Sequence, residues 1–275
     1  MIAVRTAIAL TIAGSDSSGG AGIQADLKTF SAFGVYGASA ITALTAQNTR
    51  GVAGVESVAA SFVVAQIEAV LADLDVGAIK AGMLADAGIV EAVAHCLRAA
   101  PRRPLVVDPG MVATSGDLLL EADAVETMKR QLIPLANLIT PNLPEAAWLL
   151  GAKPAGDDAQ AIEQAKALHA LGCGAVLLKG GHGAGETAVD ILCDGEGVEP
   201  FVRPRIDTPH SHGTGCTLSA AIAALLAQGV ALREAVARAK AYVWQALEAG
   251  RTLGVGHGNG PVDHLFAIRR APPPA

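Results

Sequence analysis

Short apolar runs alternate with stretches in which apolar positions recur every three or four residues, and this alternation persists along most of the chain. The runs predict strands at 7–13, 36–44, 76–82, 104–110, 137–140 and 174–181. The periodic stretches predict helices near 20–33, 61–73, 86–99 and 121–131, one from about 144, and one near 158–171. Runs 188–194 and 199–206 read as a hairpin with Gly195 and Gly197 in its turn, and helices near 214–228 and 231–249 follow. Repeated strand–helix–strand units imply right-handed crossovers, hence an α/β fold with a mostly parallel central sheet covered on both faces. No internal repeat or linker divides the chain. One domain over 1–270 is expected, with "APPPA" at 271–275 as a disordered tail.

Composition narrows the function classes. The chain has 275 residues, 51% hydrophobic and 17% charged, enough to build a large buried core. A net charge of −6 with scattered Lys and Arg argues against nucleic acid as a partner. Four dispersed cysteines without a C-x-x-C point to a reducing, cytoplasmic setting. The opening "TAIALTIAG" is expected to be a buried strand rather than a leader, because Asp16 and glycines interrupt it. The run "LSAAIAALLA" is about half a membrane span, so no membrane association is expected.

Ligands of such sheets bind beyond the carboxyl ends of the strands. The residues expected there are Ser15 and Asp16, then Gln47, Met83, Asp108, Asn142 and Lys179. The first glycine cluster, "GSDSSGGAG" (14–22), offers two decoys. Gly20-Ala21-Gly22-Ile23-Gln24-Ala25 matches the dinucleotide fingerprint, but it does not directly follow the strand, and no acid closes the next one. Gly14 to Gly19 begins like a phosphate loop, yet Gly20 and Ala21 stand where Lys and Ser or Thr belong. What remains is a close backbone approach around Asp16, suited to a hydroxyl or amine of a small molecule. Ser17 and Ser18 read equally well as helix caps.

The second cluster, Gly213-Thr214-Gly215-Cys216, opens an Ala-rich helix whose free N–H groups and dipole form an anion site. Cys216 in that first turn is expected to have a lowered thiol pKa. Asn142 and Glu145, three apart, suit either outer partners of Mg²⁺ or a helix capping pair. Lys179 can offer its ammonium to phosphate. The histidines, His210 and His212 included, lack the spacing of a zinc site.

Taken in order, "AGSDSSGGAGIQADLKTF" (13–30), "TALTAQNTRGV" (42–52), "IKAGMLAD" (79–86), "VVDPGMVATSGDLLL" (106–120), "ITPNLPEA" (139–146), "VLLKGGH" (176–182) and "HGTGCTLSAAIAA" (212–224) closely resemble the hydroxymethylpyrimidine/phosphomethylpyrimidine kinases of the ribokinase-like superfamily. The resemblance implies a three-layer α/β/α ribokinase-like fold, ATP and Mg²⁺ as cofactors, and a small pyrimidine substrate. It implies that Gly14, Asp16, Gln47 and Met83 bind that substrate, Gln47 matching an aminopyrimidine edge and Met83 packing on the ring. It further implies that Gly213, Thr214, Gly215 and Cys216 form the anion hole, the Cys216 thiolate taking the hydroxymethyl proton. Lys179, Asp108, Asn142 and Glu145 would then serve the ATP phosphates, with Mg²⁺ near Asp108 and Glu145 and Lys240 near the nucleotide. A flap is expected at 112–117, and the assembly stays open between monomer and homodimer. The implied reaction is phosphorylation of 4-amino-5-hydroxymethyl-2-methylpyrimidine and then of its monophosphate. Pyridoxal kinase and a non-catalytic ligand-binding protein are the competing readings.

Overall fold

The computed structural model describes residues 6–111, 122–181 and 185–270. The expected flap and the expected C-terminal tail lie outside these residues. Nine strands form one sheet: β1 (Ile8–Asp16), β2 (Tyr36–Asn48), β3 (Gly51–Ser57), β4 (Ala78–Ala81), β5 (Leu105–Val107), β6 (Leu138–Ile139), β7 (Ala175–Leu178), β8 (Thr187–Asp194) and β9 (Gly197–Pro204). The helices are α1 (Gly22–Ala32), α2 (Ala60–Asp73), α3 (Ala87–Ala99), α4 (Ala122–Thr127), α5 (Leu143–Leu150), α6 (Asp158–His169), α7 (Thr214–Ala227), α8 (Leu232–Gly250) and α9 (Phe266–Arg270). No helix among the described residues is long and apolar enough to cross a membrane.

The strand order is β3-β2-β1-β4-β5-β6-β7-β8-β9. The strands from β2 through β7 in this order are parallel, and the outer pairs β2–β3, β7–β8 and β8–β9 are antiparallel. Alternation along the buried strands sorts side chains to two helical layers. Leu10, Ile12, Val107, Val176 and Leu178 pack with α2 to α6, whereas Ala9, Val106, Ala175 and Leu177 pack with α1, α7 and α8. Helix α7 is buried from Thr217 to Leu225, and its run of alanines lets neighbours approach on every side.

Three elements depart from expectation, the short α9 being one that no predicted helix covers. β3 escapes the hydrophobic pattern because it is an edge strand, exposed along most of its length, with two glycines. The helix expected over 121–131 is α4, followed by a π-type turn over Met128–Leu132 and a 3-10 turn over Ile133–Leu135, where Pro134 ends helical bonding.

The chain runs outward from β1 to β2, then returns to add β4 on the other side of β1. That reversal leaves a crevice at the carboxyl ends of β1 and β4. β1 and its neighbour β2 are irregular at this end: register shifts fall between Ala13 and Ser15 in β1, and between Ala46 and Gln47 in β2. Such irregularities re-aim side chains beside a site.

Candidate active site

A cavity of about 710 Å³ opens at this crevice and reaches from the β1–α1 loop past the start of α7 to α8. Gly14, Asp16, Gln47, Met83, Asp108, Asn142, Glu145, Lys179, Lys240 and Gly213 through Cys216 all border it. The fold therefore gathers residues separated by more than two hundred positions around one space.

At one end, Asp16 is buried and its carboxylate is crowded with donors. Oδ1 accepts from the Ser18 N–H at 2.8 Å and the Ser18 hydroxyl at 2.7 Å. Oδ2 accepts from the N–H groups of Gly20 and Ala21 at 3.0 and 2.8 Å, and from His212 Nε2 at 2.9 Å. Burial alone would raise its pKa, but these bonds hold it well below the usual carboxylate range. A carboxylate offers about four acceptor positions, so a direct substrate contact would require one of the five donors to leave. The serines do not cap α1: Ser18 serves Asp16, Ser17 donates to the Gln47 carbonyl at 2.8 Å, and α1 starts after Ala21 without a side-chain cap.

Met83 and Gln47 flank this loop. The Met83 carbonyl accepts from the Gly14 N–H and the Thr42 hydroxyl, tying β4's exit to β1 and β2. A Cβ on Gly14 would lie 2.8 Å from Met83 Cε, so glycine leaves room for the thioether's methyl. The Gln47 carboxamide stands 3.4 Å from His212 Nε2 and 3.1 Å from the Thr45 hydroxyl.

The start of α7 meets the first loop directly. Gly213 has φ +79°, and a Cβ there would fall 1.9 Å from the Gly20 carbonyl oxygen. Gly215 faces the other way: a Cβ there would sit 3.1 Å from Lys179 Nζ. Cys216 corrects an expectation. Burial pushes its thiol up to about 11, with the carboxylates of Asp26 and Asp108 adding to the shift and Lys80 and a Gly22 N–H opposing it. The helix terminus does not overcome this, so at neutral pH the residue is a thiol.

Beside it lies the charged end. Lys179 Nζ is 2.7 Å from Asp108 Oδ1 and 3.9 Å from Glu145 Oε2. Thr140 and Ser219 hydroxyls also donate to Asp108, at 3.1 and 3.3 Å. Burial would raise the Asp108 pKa, but Lys179 and Lys80 hold it down; for Glu145 burial prevails, helped by Asp108, and its pKa rises. Burial would lower that of Lys179, yet Asp108 and Glu145 keep it raised. Asn142 and Glu145 also form the capping box of α5, through Glu145 N–H to Asn142 Oδ1 and Asn142 N–H to Glu145 Oε2, both at 2.8 Å. Lys240 borders the cavity but is paired with Asp190 at 2.6 Å.

Two residues that shape the site, Lys80 and His212, are not among those expected there. Lys80 is fully buried beneath Gly82, and its ammonium bonds Asp26 Oδ2 at 2.8 Å while Thr11 donates to the same oxygen. The signal was there: a lysine inside the apolar run "VGAIKAG" requires a buried countercharge. His212 was read only as a weak zinc candidate, and its link to Asp16 spans 196 positions. Among the described residues no three His, Cys, Asp or Glu side chains cluster as a metal site.

The phosphomethylpyrimidine kinase family profile matches residues 16–263. The hydroxymethylpyrimidine/phosphomethylpyrimidine kinase of Rhizobium meliloti is 58% identical over 94% of this chain and 97% of its own length. That of Escherichia coli is 53% identical over the same shares. Among solved structures, a Bacillus subtilis pyridoxal kinase in complex with ADP superposes with a TM-score of 0.89 at 39% identity, covering 97% of this chain and all of its own. A Clostridium difficile phosphomethylpyrimidine kinase superposes at 0.77 with 45% identity, covering 87% and 98%.

Proposed function

Because this chain belongs to the phosphomethylpyrimidine kinase family, we propose a division of labour in its site for ATP-dependent phosphorylation of hydroxymethylpyrimidine and of its monophosphate, in thiamine biosynthesis. The observation that carries the proposal is the single cavity joining Gln47 and Met83 to the mouth of α7 and to Lys179. Phosphoryl transfer depends on positioning and on offsetting charge, and the two ends of this cavity suit those two tasks.

At the substrate end, Gln47 offers an amide donor and acceptor to the ring nitrogen and exocyclic amine of an aminopyrimidine. Met83 packs on the ring face. Asp16 acts one step back, holding the loop of Gly14 in shape through the bonds described above. At the transfer end, the N–H groups of Gly213, Gly215 and Cys216 are offered to arriving negative charge along the helix dipole, that of Thr214 being held by the Ser211 carbonyl. Lys179 shifts from its carboxylate partners toward the phosphoryl group, and Gly215 leaves it the room. Lys240, released in part from Asp190, borders the nucleotide. The resting Cys216 thiol is not a ready base, so turnover rests chiefly on the loop amides and Lys179.

Mg²⁺ fits the chemistry of this donor set. Asp108 and Glu145 are two carboxylates around one ammonium, with several oxygens already accepting hydrogen bonds. Such a pair suits a cation that keeps its waters and is held mainly by phosphates. Bound there, Mg²⁺ would supply charge neutralisation of the ATP phosphates.

Pyridoxal phosphorylation is the second reading, favoured by the superposition on a pyridoxal kinase. The Gln47 pairing opposes it, since pyridoxal has no exocyclic amine. ADP release with MgATP and each of the pyrimidine alcohol, its monophosphate and pyridoxal tests the order. The expected outcome is turnover of both pyrimidines with kcat/KM above that of pyridoxal. Turnover of pyridoxal alone overturns the assignment.

A further inference from the structure

His212 adjoins both the substrate loop and the anion loop, and nothing so far gives its side chain a task beyond holding Asp16. Its ring is immobile: it is 6% exposed, and a Cβ on Gly20 would lie 2.4 Å from its Cδ2. Its backbone is fixed by Gly260 O, which accepts from His212 N–H at 3.1 Å. The Asp16 carboxylate is ionised and can only accept, so His212 Nε2, 2.9 Å away, carries a proton whether the ring is neutral or cationic.

That proton constrains Gln47. Drawn with its nitrogen toward His212, the carboxamide sets two N–H donors face to face at 3.4 Å. On its other flank, the one Thr45 hydroxyl proton is claimed by the Ser15 carbonyl at 3.0 Å as well as by Gln47 at 3.1 Å. Turning the amide over removes the donor–donor contact and frees the Thr45 proton for Ser15. The amide oxygen then shares the single His212 Nε2 proton with Asp16 Oδ2 in a three-centre bond, and its NH₂ donates to the Thr45 oxygen. One N–H and one carbonyl lone pair are left for a ligand.

We infer that His212 is a specificity-determining positioning residue, which fixes the orientation of the Gln47 amide and thereby which way round the heterocycle binds. The inference rests on the reading of Gln47 as the group that pairs with the ring. With the oxygen on the His212 side, the exocyclic amine must lie on that side and the ring-nitrogen acceptor on the Thr45 side. In the pyrimidine the hydroxymethyl carbon is the amine's other neighbour. It therefore falls beyond the amine, toward His212 and the Gly213–Cys216 loop that follows it in the chain. The reverse amide would turn the alcohol away from the phosphoryl group.

Steady-state kinetics of the intact enzyme with the aminopyrimidine alcohol and its desamino analogue test this. The native protein is expected to prefer the amino substrate by about 100-fold in kcat/KM, the scale of a buried hydrogen-bonding group left unpaired. His212→Phe should bring that preference to within about 3-fold of unity, while His212→Gln, which restores an N–H, should keep most of it. A preference unchanged in His212→Phe, with both substrates slowed alike, would make the residue merely structural and overturn the inference. Gln47→Leu separates the two readings. If it retains the preference, the role of Gln47 itself fails; if it loses the preference while His212→Phe does not, only the present inference fails. On the unmodified protein, proton–proton NMR contacts from the bound substrate give a measurement independent of variant folding. The ring methyl should approach Thr45 and the methylene His212, and the opposite pattern refutes the inference.

Discussion

The loop after β1 and the loop before α7 share a composition of glycines and small hydroxyl residues, and they touch at Gly20 and Gly213. Their polar groups are used differently. The first loop turns its donors inward: N–H groups of Ser18, Gly20 and Ala21 converge on its own Asp16. The second loop has no acidic residue in the first turn of α7 and no side-chain cap, and its residues border the cavity. A carboxylate inside a glycine loop takes up that loop's own donors. Its absence leaves the helix terminus for an incoming anion. The difference lies in one side chain's placement, not in glycine content.

The widest separation between the two ends should come from charge. Lys179→Met is expected to lower kcat by about 100-fold or more, as loss of a transition-state charge partner does. KM for the pyrimidine should change much less, a split visible in initial-rate kinetics. A large rise in KM for the pyrimidine with kcat intact would merge the two ends.

Glycine substitutions sharpen the same contrast. Gly213→Ala meets the Gly20 carbonyl at a positive φ and is expected to cost on the order of 3 kcal/mol, read as a thermal midpoint lower by roughly 10 °C. Gly215→Ala meets only side-chain atoms, the Lys179 ammonium at 3.1 Å and Asp108 Oδ2 at 3.6 Å. It should melt within about 2 °C of the native protein yet lose about tenfold in kcat. Equal melting losses in both would show that Gly215 also serves packing.

Cys216→Ala is expected to slow turnover by only about tenfold, because the loop amides remain. A loss beyond about 1,000-fold would restore the thiol as proton acceptor. Alkylation of Cys216 in the resting enzyme should be slow at pH 7 and accelerate toward its pKa of about 11. A midpoint below 8 would contradict the burial argument.

The segment behind the second loop adds a dependence on pH. His264 is buried beside the Thr217 hydroxyl, and burial lowers its pKa to about 4. Between about 6.5 and 4 the unfolded chain binds the extra proton, so stability is full above 6.5 and falls as pH drops through that window. The difference is roughly 3 kcal/mol at its limit. His264→Gln should flatten the dependence of denaturant midpoint on pH in this range, and an unchanged slope would exclude His264 as its source.

Much of this molecule is written in local pattern. Strand and helix periods, capping at Asn142 and Glu145, and the polar residues at strand ends all follow from near neighbours along the chain, because each depends on backbone geometry over a few residues. Eleven motif positions on six strand ends and the start of α7 could thus be expected to meet, and they border one cavity. What near neighbours cannot carry is the state of a group whose partners are remote. The acceptors of Asp16 are filled partly from His212, the Cys216 thiol is raised by burial and by carboxylates from α1 and β5, and Lys80 stays charged because Asp26 meets it across the layers. Solvation and charge act through space, so only the packed chain decided which of the expected groups are spent on the protein and which face a ligand.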